Sequence, residues 1–324
     1  RHGGRTLLFG KILLFKESMR SKISRRHFLK SSAQAGLSLA GLGLLGNFAN
    51  AIEPFNREGK PRFLLSLAAY SFRDFFNSKE PAKKIDLFQF IDFCAANGCD
   101  GAELTSYYFP TPLTDDYLIK IRRHCFLRGI EVSGTACGNN FALPKGEKLT
   151  EQINSVKKWI DHAAVMGAPH IRVFAGKASG GLTDAQARKM CMSSLEEVCD
   201  YAGTKGIFLG LENHGGIVAE ADGLLEIIKA VKSPWLGINL DTGNFHTADP
   251  YGDLARIAPY AVNVQVKAET KTKGAAKSEP VDFPRVFKIL REANYQGYVA
   301  LEYEAKDPWD SVPVLLKRMK EFTV

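Results

Sequence analysis

The chain has 324 residues, 45% hydrophobic and 24% charged, a balance that excludes a disordered chain or a multi-span membrane protein and calls for a packed core. Its formal net charge of +8 is concentrated at the front, where residues 1–51 carry nine Lys and Arg against one acid, Glu17, leaving the remainder formally neutral. Nucleic-acid binding needs a basic stripe that displaces counterions, and the only dense basic run after residue 51 is 267–277, so no nucleic-acid partner is expected.

The first feature in chain order is Ser24-Arg25-Arg26-His27-Phe28-Leu29-Lys30, which sets paired arginines before a small-residue and leucine run at 31–48, closed by Ala49-Asn50-Ala51. A basic region, a moderately apolar run and an A-x-A site make a cleavable export signal. The twin arginine followed by Phe-Leu-Lys resembles the bacterial Tat signal, which implies an exported, periplasmic protein. The expected division is 1–51 as upstream residues and signal, with Met19 as the start and cleavage after Ala51, and 52–324 as a single domain. The alternative is a retained anchor. Gln34, Asn47 and four glycines make the run short and weakly apolar for a span, so no stable membrane span is expected after cleavage.

Beyond the leader, apolar strand-like runs alternate with segments of helical spacing. Strand 63–71 precedes helix 85–96, strand 101–105 precedes helix 117–127, and strand 129–134 precedes helix 149–166. The pattern continues with 170–175 and 183–205, 207–212 and 221–231, 237–241 and a short helix at 253–257, 262–267 and 284–293, and 298–304 and 311–322. Strands bounded by glycine and alternating with helices argue for a parallel sheet with crossover helices. Eight such units without a linker match one closed (β/α)₈ TIM barrel better than a doubly wound sheet. Residues 267–280, rich in Lys, Thr and Ala, read as a mobile loop after strand seven. The six cysteines form no CxxC pair and lie in apolar surroundings, so they read as buried free thiols.

Parallel barrels build their sites where the strands end. Three strands end in acids: Gly210-Leu211-Glu212-Asn213-His214, Ile238-Asn239-Leu240-Asp241-Thr242-Gly243-Asn244 and Val299-Ala300-Leu301-Glu302-Tyr303-Glu304. Strand seven, Asn263-Val264-Gln265-Val266-Lys267, offers an amide between them. Singly, each acid reads as a helix cap or a surface ion pair. Gathered at neighbouring strand ends, Glu212, Asp241, Gln265 and Glu302 point to a divalent cation with hard oxygen ligands, Mn²⁺, Mg²⁺ or Co²⁺.

Glu103, ending strand two, is a candidate for binding sugar hydroxyls, or else a barrel-mouth acid paired with Arg73 or Arg172. His214 extends past Glu212 on the same side of the strand and suits a substrate oxygen. Lys267 is placed to neutralise developing negative charge, or else is a solvated loop residue; His246 and His170 are weaker candidates with a structural reading beside the functional one. Tyr107, Tyr108, Phe109, Phe141 and Trp309 follow strand ends and suit an apolar pocket wall or the core.

Leu211-Glu212-Asn213-His214 and Leu240-Asp241-Thr242-Gly243-Asn244 together resemble the sugar phosphate isomerase/epimerase, or xylose isomerase-like, barrel superfamily over residues 62–323. That family includes ketose 3-epimerases, hydroxypyruvate isomerases and inosose dehydratases. The resemblance implies metal ligands Glu212, Asp241, Gln265 and Glu302, with Glu212 and Glu302 as the proton-transfer pair working through a metal-stabilised enediolate. Gln265 stands where the family usually has histidine, Ala268 where it often has aspartate, and Asn244, a further substrate-binding candidate, where several epimerases have histidine. Export and the lack of a GxxxxGK phosphate cradle favour a non-phosphorylated carbohydrate substrate. The expected function is therefore an exported metal-dependent sugar isomerase or epimerase, with room for an oligomer. The alternatives are a lyase or hydratase on 3-keto-sugars or glycosides, and a non-catalytic carbohydrate-binding barrel.

Overall fold

The computed structural model describes residues 52–323; the leader and its cleavage site lie outside them. All eight strand-helix units form. The barrel strands are β1 (Arg62–Ala68), β2 (Gly101–Thr105), β3 (Glu131–Ala136), β4 (His170–Phe174), β5 (Phe208–Glu212), β6 (Leu236–Asp241), β7 (Ala261–Lys267) and β8 (Gln296–Glu302). The helices that follow them are α1 (Leu87–Ala96), α2 (Asp115–Arg128), α3 (Glu147–Met166), α4 (Asp184–Thr204), α5 (Ala221–Ala230), α6 (Pro250–Ile257), α7 (Phe283–Glu292) and α8 (Pro308–Lys320). Each strand pairs in parallel with the next, and β8 closes the cylinder on β1 from Arg62↔Gln296 to Leu67↔Leu301.

Local signals set these boundaries. Asp86 and Thr183 cap α1 and α4 in reciprocal boxes with Gln89 and Gln186. Asp249 and Asp282 cap α6 and α7, whose first turns hold a proline that needs no donor there. Gly129 ends α2 at φ 71°, a left-handed conformation that costs glycine nothing; β3 therefore starts at Glu131, later than the sequence suggests. After β7 the chain forms a two-stranded hairpin, Glu269–Thr270 against Glu279–Pro280, where a structureless loop is expected from composition. Among the described residues no helix is long and apolar enough to cross a membrane.

The strands alternate between two environments. Val264, Val266, Leu209, Leu211, Leu301 and Ile171 point to the helix layer and form the apolar core with residues such as Phe90, Ile160 and Leu290. The other set points into the cylinder and is polar: Ser66, Glu103, His170, Arg172, Glu212, Asn239, Asp241, Asn263, Gln265 and Glu302 are all buried. All six cysteines are free and buried, as expected.

His170 belongs to this lining and lies at the start of β4, away from the strand ends. Its ring packs against Gly134 so closely that a Cβ there would come within 1.9 Å of Cε1. Burial, only partly offset by the Ser133 backbone, holds its pKa down at about 4. The neutral ring is thus favoured in the fold. As pH falls from about 6.5 towards 4 the unfolded chain takes up the proton first, so this contribution, on the order of 3 kcal/mol, is complete above pH 6.5 and is lost across that window. Urea unfolding of wild type and His170→Leu at pH 7 and pH 4.5 should show wild type losing stability relative to the variant at the lower pH. A constant difference would remove His170 from the pH response.

Candidate functional site at the strand ends

Glu212, Asp241 and Glu302 end β5, β6 and β8, and Lys267 ends β7 between the last two. The side chain of Lys267 is only 9% exposed, and its Nζ lies 3.5 Å from Asp241 Oδ2, 3.1 Å from Glu302 Oε2 and 2.8 Å from Glu304 Oε1. It is a buried hub, not a loop residue in solvent. Burial lowers its proton affinity, but Asp241, Glu302 and Glu304 more than offset this and hold it charged.

Glu212 sits beside this group with its own partners. Arg172 Nε lies 3.0 Å from Oε2, and Asn244 Nδ2 donates to Oε1 at 2.8 Å. Phe174 covers the Arg172 guanidinium at 3.9 Å from its centroid and meets the His214 ring at 4.6 Å. A residue the sequence reading passed over, Asn213, donates to Asp241 O at 2.9 Å and accepts from Asp241 N at 2.8 Å. It thereby locks the ends of β5 and β6 together.

Deeper in the cylinder lies a layer of amides. Gln265 Oε1 accepts from Asn239 Nδ2 at 2.6 Å, and its Nε2 donates to Glu103 Oε1 at 2.6 Å. Asn263 Nδ2 donates to Glu103 Oε2 at 2.8 Å and to Asn239 Oδ1 at 2.7 Å. Glu103 is therefore held through both oxygens by β7. Arg73 is not its partner, because it donates instead to the backbone of Tyr303 and Glu304. His246 is exposed on the loop after β6. Of the aromatic candidates, Phe141 is fully buried, while Trp309 packs in a cluster with Phe72 and Phe75.

Charge decides what this arrangement can do. Four buried carboxylates, Glu103, Glu212, Asp241 and Glu302, face two buried cations, Arg172 and Lys267. Fully ionised, the cluster carries two uncompensated negative charges in a low-dielectric interior. Burial first, then neighbouring carboxylates, push Glu103 and Asp241 up to about 7 and Glu212 to about 8, although Arg172 opposes the rise at Glu212 and Lys267 that at Asp241. Such groups exchange protons near neutral pH, as acid–base chemistry requires.

The same deficit tests the expected metal. A divalent cation supplies the two missing positive charges, the donors are the hard oxygens it takes, and Asp241 Oδ2 is buried without a hydrogen-bond donor. The donor set fits such an ion in charge and chemistry. Among the described residues Glu212 is turned to Arg172 and Asp241 and Glu302 to Lys267, and no three His, Cys, Asp or Glu side chains form a closed shell.

A closed eight-stranded α/β cylinder with titratable groups at its strand ends has the architecture of a TIM-barrel protein with a site in the usual place. Residues 91–321 match the family described as xylose isomerase-like TIM barrel, and the chain belongs to that family. A Homo sapiens protein described provisionally as a hydroxypyruvate isomerase is 23% identical over 246 residues, covering 65% of this chain and 82% of the relative. D-psicose 3-epimerase in the presence of D-fructose superposes with a TM-score of 0.63 at 17% identity, covering 75% of this chain and 86% of its own. The IOLI protein with a binding zinc atom gives a TM-score of 0.65 at 17% identity, over 81% and 97% of the two chains.

Proposed function

We propose that the protein is an isomerase or epimerase of a non-phosphorylated sugar or keto-sugar, exported by its twin-arginine leader and dependent on a divalent cation. One observation carries the reading: four buried carboxylates against two buried cations, three of the acids poised near neutral pH. Glu212, Asp241 and Glu302 would hold the cation, with Gln265 Oε1 as a fourth donor through the lone pair that Asn239 leaves free. When bound, Mn²⁺, Mg²⁺ or Co²⁺ supplies a Lewis acid that polarises a substrate carbonyl.

The chain's own groups divide the remaining work. Glu302 takes the proton α to the carbonyl, and Glu212, across the reacting unit, returns one to the neighbouring carbon in an isomerisation or to the other face of the same carbon in an epimerisation. Arg172 and Asn244 fix the Glu212 carboxylate so that its remaining lone pairs face a defined place. Lys267 Nζ offsets negative charge developing beside Glu302. His214 and Asn244 face substrate oxygens, His246 borders them from the β6 loop, and Glu103 acts indirectly by orienting Gln265.

Proton return from Glu212 to a departing oxygen would also suit expulsion of a leaving group, the additional step of a lyase or hydratase acting on keto-sugars or glycosides. The test is incubation of the full chain in D₂O with Mn²⁺ and a panel of free ketoses, aldoses and keto-sugars. Deuterium incorporation without loss of mass units, abolished by chelator and restored by Mn²⁺, is the expected result. Deuterium with loss of water or an aglycone would select the lyase, and turnover unaffected by chelator would remove the metal.

A further inference from the structure

Beside the carboxylate cluster, the segments after β2 and β3 roof a cleft of about 530 Å³ whose far wall is one face of α3. That volume lies within the range of small-molecule sites. Its floor is aromatic, with the Phe109 and Trp159 rings 5.2 Å apart edge to face. The Trp159 indole N–H is committed to Thr135 Oγ1 at 3.1 Å, so the ring offers only carbon to a ligand. Tyr107, 49% exposed, lies along Gly138, where a Cβ would stand 3.0 Å from its hydroxyl oxygen. The absence of a side chain at Gly138 is what leaves room for the ring.

The rim is polar. Ser155 and Lys158 project from α3, exposed, and neither side chain is hydrogen-bonded or ion-paired to another described residue. The cleft also touches the reaction centre through one residue: Cys137 lines it and accepts from Arg172 Nη1 at 3.1 Å, and Arg172 Nε lies 3.0 Å from Glu212 Oε2. A ligand held in the cleft is therefore separated from Glu212 by two residues, Cys137 and Arg172.

We infer that this cleft is a subsite for the second ring of a disaccharide, so that a glycosidically linked sugar is held more tightly than the free monosaccharide. The inference rests on the proposed sugar chemistry of the strand-end site. A pyranose has an apolar C–H face and a belt of hydroxyls; Tyr107 and the aromatic floor match the first, and the unengaged Ser155 hydroxyl and Lys158 ammonium match the second. A wholly apolar group would leave those donors unanswered. A small anion would find one cation, Lys158, at the exposed rim beside a His162 ring that burial and Lys158 hold towards its neutral form, with no donor in the aromatic floor.

The test is calorimetric titration of the full chain, supplied with Mn²⁺, with glucose and with cellobiose, maltose, lactose and trehalose. At least one disaccharide is expected to bind ten-fold or more tightly than glucose. Tyr107→Ala, which removes the platform, and Ser155→Phe, which fills the cleft from an exposed helix position, should each bring that ratio close to one; circular dichroism checks that both are folded. Disaccharides binding no better than glucose, or a ratio that survives both variants, would overturn the subsite. Turnover is not read in this experiment, so loss of the isomerase reading and loss of the subsite are distinguishable.

Discussion

Glu302→Gln is expected to leave a folded protein whose turnover falls by about 10²–10⁴-fold, the usual worth of one positioned acid–base group. The substitution keeps the shape of the side chain and an oxygen that can still accept from Lys267 Nζ, now 3.1 Å from Oε2. It removes one negative charge from a cluster that carries two too many, so its melting temperature should match or exceed that of wild type when no divalent ion is present. This pairing of outcomes separates chemistry from scaffolding. A large drop in melting temperature would make Glu302 a structural counter-ion of Lys267, and full activity in the folded variant would sink its role in proton transfer. Metal affinity provides a third reading, because loss of a charged oxygen should raise the Mn²⁺ concentration needed for half-maximal stabilisation.

Most of the fold was legible in the sequence because the switch between two-residue and helical periodicity repeats eight times without slipping. Errors fall where tertiary contacts override the local pattern. The first strand ends at Ala68 and residues 69–72 turn as a short 3-10 helix, since Ser71 leaves the apolar run to donate to Leu301 O and to receive Tyr303 N. The acids at 212, 241 and 302 were legible because each terminates an apolar run. Asn239 and Asn263 were not, nor was the pairing of Arg172, named only as a possible partner of Glu103, with Glu212. All three are mid-strand polar residues whose partners, such as Glu103 for Asn263 across 160 positions of chain, exist only once the cylinder closes. Lys267 was legible as a charge-neutralising candidate beside a solvated reading; its place at the end of β7, between two acid-bearing strands, makes it the hub.

That hub carries the second large expectation. Lys267→Met keeps the stem that lines β7 but deletes the ammonium, leaving Asp241, fully buried, and Glu302, with its side chain 7% exposed, without a cation between them. Removing one partner of a buried ion pair costs about 3–5 kcal/mol, and here the surplus negative charge of the cluster also rises. In chelator the melting temperature should fall by roughly 2–4 °C for each kcal/mol lost. The deficit should shrink as pH falls towards about 7, because without the lysine that holds its proton affinity down Asp241 takes up a proton in the variant at higher pH than in wild type. A divalent ion that binds only the folded state adds stability with the logarithm of its concentration over its dissociation constant. Once the competing ammonium is gone, Mn²⁺ should therefore stabilise the variant more than wild type, recovering much of the lost temperature. A variant that melts like wild type would show that Asp241 and Glu302 are already neutralised by protons, and an equal Mn²⁺ response in both proteins would place the cation away from Lys267.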